Sequence, residues 1–455
     1  MLNDIDLLKF LRAVPWQRVG VFPLCLLLAL WGTPLWAEDA ISFAPHVSLT
    51  EKEAIALFYQ RNLRLIASSL DIDDAQAEQI IAGAMPNPVF SLTVHELNPR
   101  IWRPENRGQA VPAVTPQIQQ LIVTAGKRRL RIESSELATE AVSFDVIDVA
   151  RVLTNAVRRS YYSLLLAQKT LQVAGDNLER YREILRVNEL RLKLGDVAAI
   201  DLIRIEVESL KIQGDQDQAR AALDQARADL LLLLGWPANS MDVAAVEAWP
   251  EAAPEIATAG QERLVERALE SRPDMKAARV RIAQAKKMLT LAQRQVIPDV
   301  TVSAFYDRDA GNFFADSAGV GISLPIPLFY QQKGEISKAR VGVTSTELAL
   351  AQAEQGVKTE VLKALAAWQS ADAIARRFET SVIKRIEKLR SAQELAYQKG
   401  AIGVLDLIDA QRSYRAIMLD YYNALANRSK AWADLLMAYG EETGNLPRGA
   451  RRRDG

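Results

Sequence analysis

Apolar residues recur at helical spacing through most of the chain, and short stretches of alternating apolar and polar residues interrupt them. In the first half this pattern predicts two helices, two strands and one very long helix, at about 50–61, 63–84, 89–97, 117–123 and 126–194. Thr50 is the predicted N-cap of the first helix, with Glu53 completing a capping box. The long helix would extend over about 100 Å, a length typical of coiled coils.

The second half repeats this order of predicted elements. Two helices, two strands and a long helix are predicted at about 261–271, 272–296, 299–306, 318–326 and 333–399. Pro88 and Pro298 each end a helix just before the first strand of their half, because proline cannot continue a helix. The stretches 98–115 and 307–317 are predicted to be loops, and 238–260 a linker.

A phrase that follows each long helix is also repeated. The first copy reads LRLKLGDVAAIDLI and ends in ADLLLLLG, and the second reads LAYQKGAIGVLDLI and ends in ADLLMAYG. Gly195 pairs with Gly400 and Gly235 with Gly440, each at a separation of 205 residues (400 − 195 and 440 − 235). A regular internal spacing indicates a repeat. Each copy predicts a helix hairpin with glycine at its turn and a returning helix that ends near the second glycine.

The strand stretches have one apolar face and one small, polar face. This alternation, over about nine to eleven residues, is the pattern of transmembrane barrel strands; an ordinary soluble hairpin packed on a helix is the alternative. Four strands cannot close a barrel, and open sheet edges are not tolerated in lipid. Either the sheet is soluble or several copies pool their strands, three copies giving twelve. The residues predicted to form an interfacial aromatic girdle are Trp102, Phe313, Phe314, Phe329 and Tyr330.

The N-terminus has the layout of a secretory signal. Lys9, Arg12 and Arg18 precede an apolar stretch, 19–30, and Ala37 is the predicted cleavage position. A retained membrane anchor is the alternative, although the stretch is short for a spanning helix. Cys25 is interpreted as an apolar filler of the signal rather than as a lipid-attachment site, because large residues precede it. The predicted segments are 1–37 signal, 38–235 first repeat, 236–260 linker, 261–440 second repeat and 441–455 flexible tail.

Composition argues against nucleic-acid binding and against enzymatic chemistry. Lys plus Arg and Asp plus Glu both number 56, so the net charge is zero and no basic surface is indicated. No zinc, phosphate-loop, dinucleotide or nucleophile-elbow motif occurs, which predicts no metal site, no cofactor and no catalytic residues. His46 and His95 are the only histidines, and His95 is predicted to be a spectator facing the lumen.

The repeated phrases LKLGDVAAIDL and YQKGAIGVLDLIDAQ, with the strand boundaries MPNPVF and VIPDVTVS, resemble the TolC-like outer-membrane efflux protein family over about 49–440. MPNPVF followed by QLIVTAGKRRLRI is similar to the CzcC-type branch of heavy-metal exporters. The resemblance implies a mainly α protein with membrane β structure. It would be a homotrimer with a twelve-stranded β-barrel in the outer membrane of a Gram-negative bacterium, continued by a long periplasmic α-helical barrel.

Such a protein is a passive exit duct for cargo that an inner-membrane pump, expected to be of the RND type, delivers through a periplasmic membrane-fusion adaptor. The resemblance places the adaptor-docking tips at the two hairpin turns, on Leu194, Gly195, Asp196, Val197, Lys399, Gly400, Ala401 and Ile402. The acids available near the turns for a gate are Glu394, Asp196 and Asp409. Asp201 and Asp406 are instead predicted to cap the returning helices.

The residues are also compatible with two other functions. Within the same family, the duct would carry drugs or proteins of type I secretion instead of heavy-metal cations. From a different class, the chain would be a periplasmic adaptor or coiled-coil scaffold that never enters a membrane. The apolar faces of the two strand pairs argue against the scaffold.

Overall fold

The structure is a computed structural model that describes residues 46–95, 113–237, 242–246, 249–250, 260–309 and 315–440. All of them belong to one compact unit, Ala44–Gly455. The predicted signal, the tail 441–455 and three of the predicted girdle aromatics, Trp102, Phe313 and Phe314, lie outside the described residues. The side chain of His95 also lies outside the description.

Nine α-helices and six strands make up the described part of the chain. The helices are α1 Glu51–Arg61, α2 Leu63–Gly83, α3 Lys127–Leu194, α4 Ala199–Leu233, α5 Gln261–Ser271, α6 Pro273–Arg294, α7 Lys333–Arg377, α8 Ile383–Gln398 and α9 Val404–Tyr439. The strands are β1 His46–Leu49, β2 Val89–His95, β3 Ala113–Ile122, β4 Asp242–Ala245, β5 Val300–Asp309 and β6 Ala315–Ser323.

Local sequence chemistry accounts for several helix starts. The Thr50 hydroxyl accepts a hydrogen bond from the Glu53 N–H at 3.3 Å, and the Glu53 carboxylate accepts from the Thr50 N–H at 2.9 Å. The predicted capping box of α1 is therefore confirmed. Pro273 occupies the first position of α6, where its missing N–H costs nothing.

Four strands form one antiparallel sheet in the order β2-β3-β5-β6. The register places Phe90, Ile118, Ala304 and Val320 in one row across it. Phe90 and Val320 are 69% and 85% exposed, so this apolar face is unpartnered within one copy of the chain. The neighbouring row holds Ser91, Gln117, Phe305 and Gly319, and the Phe305 ring lies against Gly319. Phe305 is the aromatic exception on an otherwise small and polar face.

The strand limits differ from the predicted ones. Strand β3 begins at Ala113, inside the predicted loop, although it contains a proline. Pairing between β3 and β5 is interrupted at Thr115 and Pro116 without a change of register, and the interruption coincides with the residue that has no N–H to donate. Strand β5 continues to Asp309, whereas β6 ends at Ser323 rather than at 326, ahead of Pro325 and Pro327.

A short parallel pair, β1 with β4, was not predicted. It joins His46–Leu49 to Asp242–Ala245, so the predicted linker contains a strand. Four-residue strands show too little alternation to be recognised in a sequence. This pair depends instead on long-range packing, because Leu49, Val243 and Ala245 are buried in the same apolar cluster as Tyr161 and Leu230.

The second long helix is not continuous, contrary to its prediction. A π-helix, Phe378–Val382, separates α7 from α8. The Arg428 guanidinium of α9 donates to the Glu379 carboxylate at 3.0 and 3.3 Å, and Phe378 packs near Tyr421. These partners lie more than 40 residues away in the chain, which explains why the local pattern predicts one α-helix.

The helical part has three main apolar clusters. One surrounds Phe58 and Tyr161, a second surrounds Trp368 and Leu435, and a third, between the two hairpins, surrounds Tyr181 and Leu407. Within the described ranges, no helix combines the length and apolar character that crossing a bilayer requires. Large apolar side chains are exposed on both the sheet and the helices, but on the sheet they lie in one row across neighbouring strands.

Candidate functional site at the hairpin turns

The first hairpin turn joins α3 to α4 through Gly195. Gly195 has φ +82°, a left-handed conformation that side chains disfavour. The N–H groups of Gly195 and Asp196 donate to the carbonyls of Leu192 and Arg191, at 3.0 and 2.9 Å. These bonds satisfy the last carbonyls of α3, as in a glycine C-cap. Leu194, beside the turn, is 77% exposed.

The second turn joins α8 to α9 with the same backbone. Gly400 has φ +73°, and its N–H and that of Ala401 donate to the carbonyls of Tyr397 and Ala396, at 3.0 and 2.8 Å. The Asp406 carboxylate accepts from the Gly403 N–H at 3.2 Å, which confirms its predicted capping role. Both predicted glycine turns are therefore present, the first at the end of α3 and the second at the end of α8.

The prediction for Asp201 is wrong. The start of α4 has no side-chain cap at Ala198, and the Asp201 carboxylate accepts from Arg204 at 3.3 Å within the first turn. The two copies of the phrase thus differ at the start of their returning helices. The first has an ion pair on the helix surface and the second a hydrogen bond to the turn.

The two hairpins pack against each other next to their turns. Tyr181 and Ile205 of the first hairpin share a buried cluster with Tyr397 and Leu407 of the second. The Tyr397 hydroxyl donates to the buried Asn188 side chain at 2.5 Å. The Arg191 guanidinium lies 5.2 Å from the centre of the Tyr397 ring, within range of a cation–π interaction. One turn is consequently held in a fixed position relative to the other.

Ion pairs between α4 and α9 extend this contact away from the turns. The Glu208 carboxylate, nearly buried, accepts from Arg412 Nε at 2.9 Å and also from its Nη2. Asp215 pairs with Arg415 one layer further along. None of these four residues was predicted from the sequence. Their spacing, i and i+7 on α4 and i and i+3 on α9, marks one face of each helix, but it does not identify the partner.

The surroundings of these groups shift their proton affinities. Hydrogen bonding to Arg412 lowers the pKa of Glu208 and, reciprocally, the bond to Glu208 raises the pKa of Arg412. Burial, followed by the Glu208 charge, raises the pKa of Tyr181 to about 12. At neutral pH the contact therefore consists of a charged pair beside a neutral phenol.

The three acids considered for a gate lie in different environments. The Glu394 carboxylate of α8 accepts a hydrogen bond from Gln411 of α9 at 2.9 Å and lies 3.5 Å from Arg180 of α3. It is therefore held between neighbouring helices. Asp409 and Asp196 are exposed, and Asp409 lies 3.7 Å from Arg412. The structure therefore does not bring the three carboxylates together. In the described part of the chain, no group of three His, Cys, Asp or Glu residues is placed to hold a metal ion.

A four-stranded sheet with an exposed apolar face, continued by long paired helices that end in glycine turns, is the arrangement expected of an outer-membrane channel protein. The chain matches the outer membrane efflux protein family over residues 54–236 and 264–441. It belongs to this family, whose members are channels of the outer membrane. As such it is an outer-membrane efflux duct of the kind that works in tripartite systems.

Two curated relatives illustrate the range of identity. The cobalt-zinc-cadmium resistance protein CzcC of Cupriavidus metallidurans is 22% identical over 383 residues, covering 84% of this chain and 88% of that protein. The cation efflux system protein CusC of Escherichia coli K12 is 26% identical over 275 residues, covering 58% of each. The match to CzcC therefore spans most of both chains, and the match to CusC spans more than half.

The fold is also that of a solved channel. The crystal structure of the Campylobacter jejuni CmeC outer membrane channel is similar with a TM-score of 0.73 at 15% identity, over 86% of this chain and 85% of that one. At this identity the likeness establishes the fold alone. It confirms the expected TolC-like architecture of strands and long helices. Together with the family match, it excludes a periplasmic coiled-coil scaffold.

Proposed function

We propose that three copies of the chain assemble into the duct and close a twelve-stranded barrel in the outer membrane. The observation that carries this is the sheet itself. Its outer strands, β2 and β6, each pair on one side only, and one face is apolar and exposed. Lipid tolerates neither open sheet edges nor unsatisfied backbone groups. If β6 of each copy pairs with β2 of the next, the barrel closes and the backbone groups of both edge strands are hydrogen-bonded.

The oligomeric state is tested by native mass spectrometry of the full chain extracted in detergent. A mass of three copies, with the protein recovered from the outer membrane fraction, is the expected result. A monomer recovered from the periplasm without detergent would contradict it. The same preparation tests the predicted cleavage after Ala37, through the N-terminal sequence of the mature chain.

The two halves are proposed to be internal repeats, bounded as predicted from the sequence. The support is that both halves contain helix, helix, strand, strand, long helix and returning helix in the same order. The family match also falls in two segments, 54–236 and 264–441. Duplication gives each copy two related but non-identical turns, and a trimer would present six.

We further propose that the turns, Leu194–Val197 and Lys399–Ile402, are the docking tips for a periplasmic adaptor, which connects the duct to an inner-membrane pump. Leu194 is 77% exposed beside the first turn, so it offers apolar surface that a docked partner could bury. Buried apolar contacts supply most of the energy of a protein interface. Leu194 is therefore the tip residue expected to contribute most.

The test replaces Leu194 with arginine and measures export together with crosslinking to the adaptor. Export and crosslinking are expected to fall while the trimer mass is unchanged, because the replaced side chain is exposed. Leu190→Arg is the matched control, since Leu190 is 57% exposed one turn earlier in α3. Equal export by both variants and the wild type would show that the first turn is not a docking tip.

The proposed cargo is heavy-metal cations. Its support is the match to CzcC over most of both chains and to CusC. A second candidate, an organic cargo, is favoured by 23% identity over 368 residues to the pyoverdine export protein OpmQ of Pseudomonas aeruginosa. Drugs and proteins of type I secretion have no comparable support among these relatives.

Deletion of the protein distinguishes these cargoes. Tolerance to zinc, cobalt, cadmium and copper is compared with tolerance to a drug panel and with siderophore secretion. Loss of metal tolerance alone supports the metal cargo, whereas loss of siderophore secretion alone supports the organic one. A complementing copy carrying Leu194→Arg links the phenotype to the docking tip.

A further inference from the structure

A cavity lies where the strands meet the helices, far along α3 from the hairpin turns. Its volume is about 390 Å³. It is lined by residues at three connections of the chain: β3 to α3, α6 to β5, and β6 to α7. All lining residues belong to one copy of the chain.

The charges in this cavity do not balance. Lys127 and Arg131 both line it, one turn apart on α3, and like charges at this spacing repel each other. Asp299 is the one carboxylate among its described lining residues. The cavity therefore carries an excess of one positive charge at neutral pH.

The Asp299 carboxylate is already hydrogen-bonded to other residues of the chain. Asp299 Oδ1 accepts from Lys127 Nζ at 2.9 Å and from the Thr124 N–H at 2.8 Å. Lys127, 9% exposed, also donates to the Ile297 carbonyl at 2.5 Å. Lys127 is thus neutralised and held in place by Asp299, and Arg131 is the cation left over.

Arg131 has no such partner. Its Nε atom is buried and receives no hydrogen-bond acceptor from the described residues. An unpaired buried donor on a charged group is costly, so a group that supplies acceptor oxygens here would be favoured. A guanidinium offers a planar fork of donors that matches a carboxylate or a phosphate.

The rest of the lining also favours an anion. Two helices, α3 and α7, begin beside the cavity without a side-chain cap at Gly126 or Gln332, and helix N-termini carry positive partial charge. The lining includes further polar side chains capable of donating hydrogen bonds: Gln295, Gln332, Thr301 and Ser323. Donors and positive charge thus converge from three connections, and Asp299 is the one carboxylate among the described lining residues.

We propose that this cavity binds a small oxyanion of the phosphate class, with Arg131 as its principal ligand. The phosphate group is supplied either by free inorganic phosphate or by the headgroup of a phospholipid, since the cavity adjoins the ends of the proposed barrel strands. The Arg131 guanidinium binds two phosphate oxygens, and Lys127 remains paired with Asp299.

The test uses the full chain in a phosphate-free maltoside detergent. Inorganic phosphate is titrated at constant ionic strength with chloride, and heat of binding and thermal unfolding are recorded. A saturable response is expected for the wild type, with affinity reduced roughly tenfold or more in Arg131→Gln, the equivalent of one charged hydrogen bond. Arg129→Gln is the matched control, because Arg129 is 79% exposed and does not line the cavity.

A second arm identifies the source of the phosphate. The same three proteins are placed in vesicles of phosphatidylglycerol or of a glycolipid without phosphate, and tightly retained lipid is counted by phosphorus analysis. Retention that requires both phosphatidylglycerol and Arg131, without a response to free phosphate, assigns the site to a lipid headgroup. Arg131→Lys keeps the charge and is expected to bind with intermediate affinity, which separates loss of the ligand from loss of folding.

Equal responses of the wild type, Arg131→Gln and Arg129→Gln in both arms would overturn the proposal. So would the absence of a saturable response to phosphate together with the absence of lipid retention that depends on Arg131. Neither result bears on adaptor docking, because the turns lie at the other end of α3. Export in the Leu194→Arg strain reports on docking separately.

Discussion

Two helix junctions, one in each half, hold the end of a returning hairpin helix by different chemistry. Between α1 and α2, the Asn62 side chain donates to the Leu233 carbonyl at 2.7 Å, near the end of α4. Between α5 and α6, Arg272 Nη1 donates to the Ala438 carbonyl at 3.0 Å, near the end of α9. Leu233 and Ala438 are separated by the same 205 residues (438 − 233) as the glycine turns.

The difference lies in what each junction recruits. Asn62 is neutral and is satisfied locally, because its side-chain oxygen also accepts from the Leu65 N–H at 2.9 Å and so caps α2. Arg272 is a buried cation and needs two carboxylates, Asp274 at 2.8 Å and Glu360 at 2.7 Å. At the same position of each half, the end of the returning helix is thus held either by one neutral amide or by a charged network that links three helices. The second solution costs more to break.

The largest expected effect is that of Arg272→Ala. It leaves two partly buried carboxylates and the Ala438 carbonyl without their donor, which is expected to lower the free energy of unfolding by about 3 kcal/mol. Chemical denaturation in detergent provides the measurement. Arg263→Ala, at an exposed position of α5, is the control. If Arg272→Ala cost no more than the control, the network would not be a stabilising element.

Gly235 and Gly440 lie next to the same two junctions and differ in what a side chain at each would meet: backbone at the first and a side chain at the second. A Cβ on Gly235 would lie 2.4 Å from the Arg61 carbonyl oxygen, whereas on Gly440 its nearest neighbour is the Ser271 hydroxyl at 2.7 Å. Both glycines have positive φ, so alanine is strained at either. A side chain can move and a helix carbonyl cannot. Gly235→Ala is expected to cost about 2 kcal/mol and Gly440→Ala about 1 kcal/mol, and equal costs in thermal unfolding would argue against this account.

Asn62→Ala is expected to have a smaller effect than Arg272→Ala. It removes one N-cap and one hydrogen bond to a carbonyl, together about 1 kcal/mol or slightly more. Asn62→Asp keeps the cap but cannot donate to Leu233, and it separates the two contributions. A loss as large as that of Arg272→Ala would remove the contrast between the two junctions.

The smallest effect is a difference in pH dependence. Burial opposes ionisation of Asp274, but the hydrogen bonds and charge of Arg272, with Arg151, outweigh it and hold the pKa of Asp274 below its ordinary 3.8. The stabilisation by Asp274 is therefore complete above about pH 4 and is lost as the pH falls through the lowered value. Nearby, burial raises the pKa of Asp148. Protonation of Asp148 as the pH falls therefore stabilises the fold, whereas protonation of Asp274 destabilises it.

This is measured as the difference in unfolding free energy between the wild type and Asp274→Asn at pH 7 and at pH 3. The difference is expected to shrink at pH 3, while that between the wild type and Asn62→Ala stays constant. A parallel decrease in both would mean that the pH acts on the whole protein rather than on the charged junction.

Features set by nearby residues were predictable from the sequence. Thr50 with Glu53, Pro273 at the start of α6, and the glycine turns at 195 and 400 depend on contacts within a few positions. The strands were recognised from alternation, although their limits were not, since the ladder beyond Pro116 depends on pairing with β2 and β5.

Features set by distant partners escaped prediction. The strand β4 depends on β1, about 200 residues earlier, and the π-helix is bordered by Arg428 and Tyr421. The same holds at the hairpins, where Glu208 meets Arg412 and Asn188 meets Tyr397. The sequence shows that such residues lie on one face of a helix, but it does not show which other helix packs against that face.

The π-helix Phe378–Val382 changes how the second long helix should be aligned. A turn with one extra residue advances every later side chain by about 100° relative to an uninterrupted α-helix. A helical wheel drawn straight through from Lys333 would therefore misplace the side chain of Tyr397, which the structure directs at Asn188. The side chains of α8 are therefore placed correctly only when the helix is read back from the turn at Gly400, not forward from Lys333.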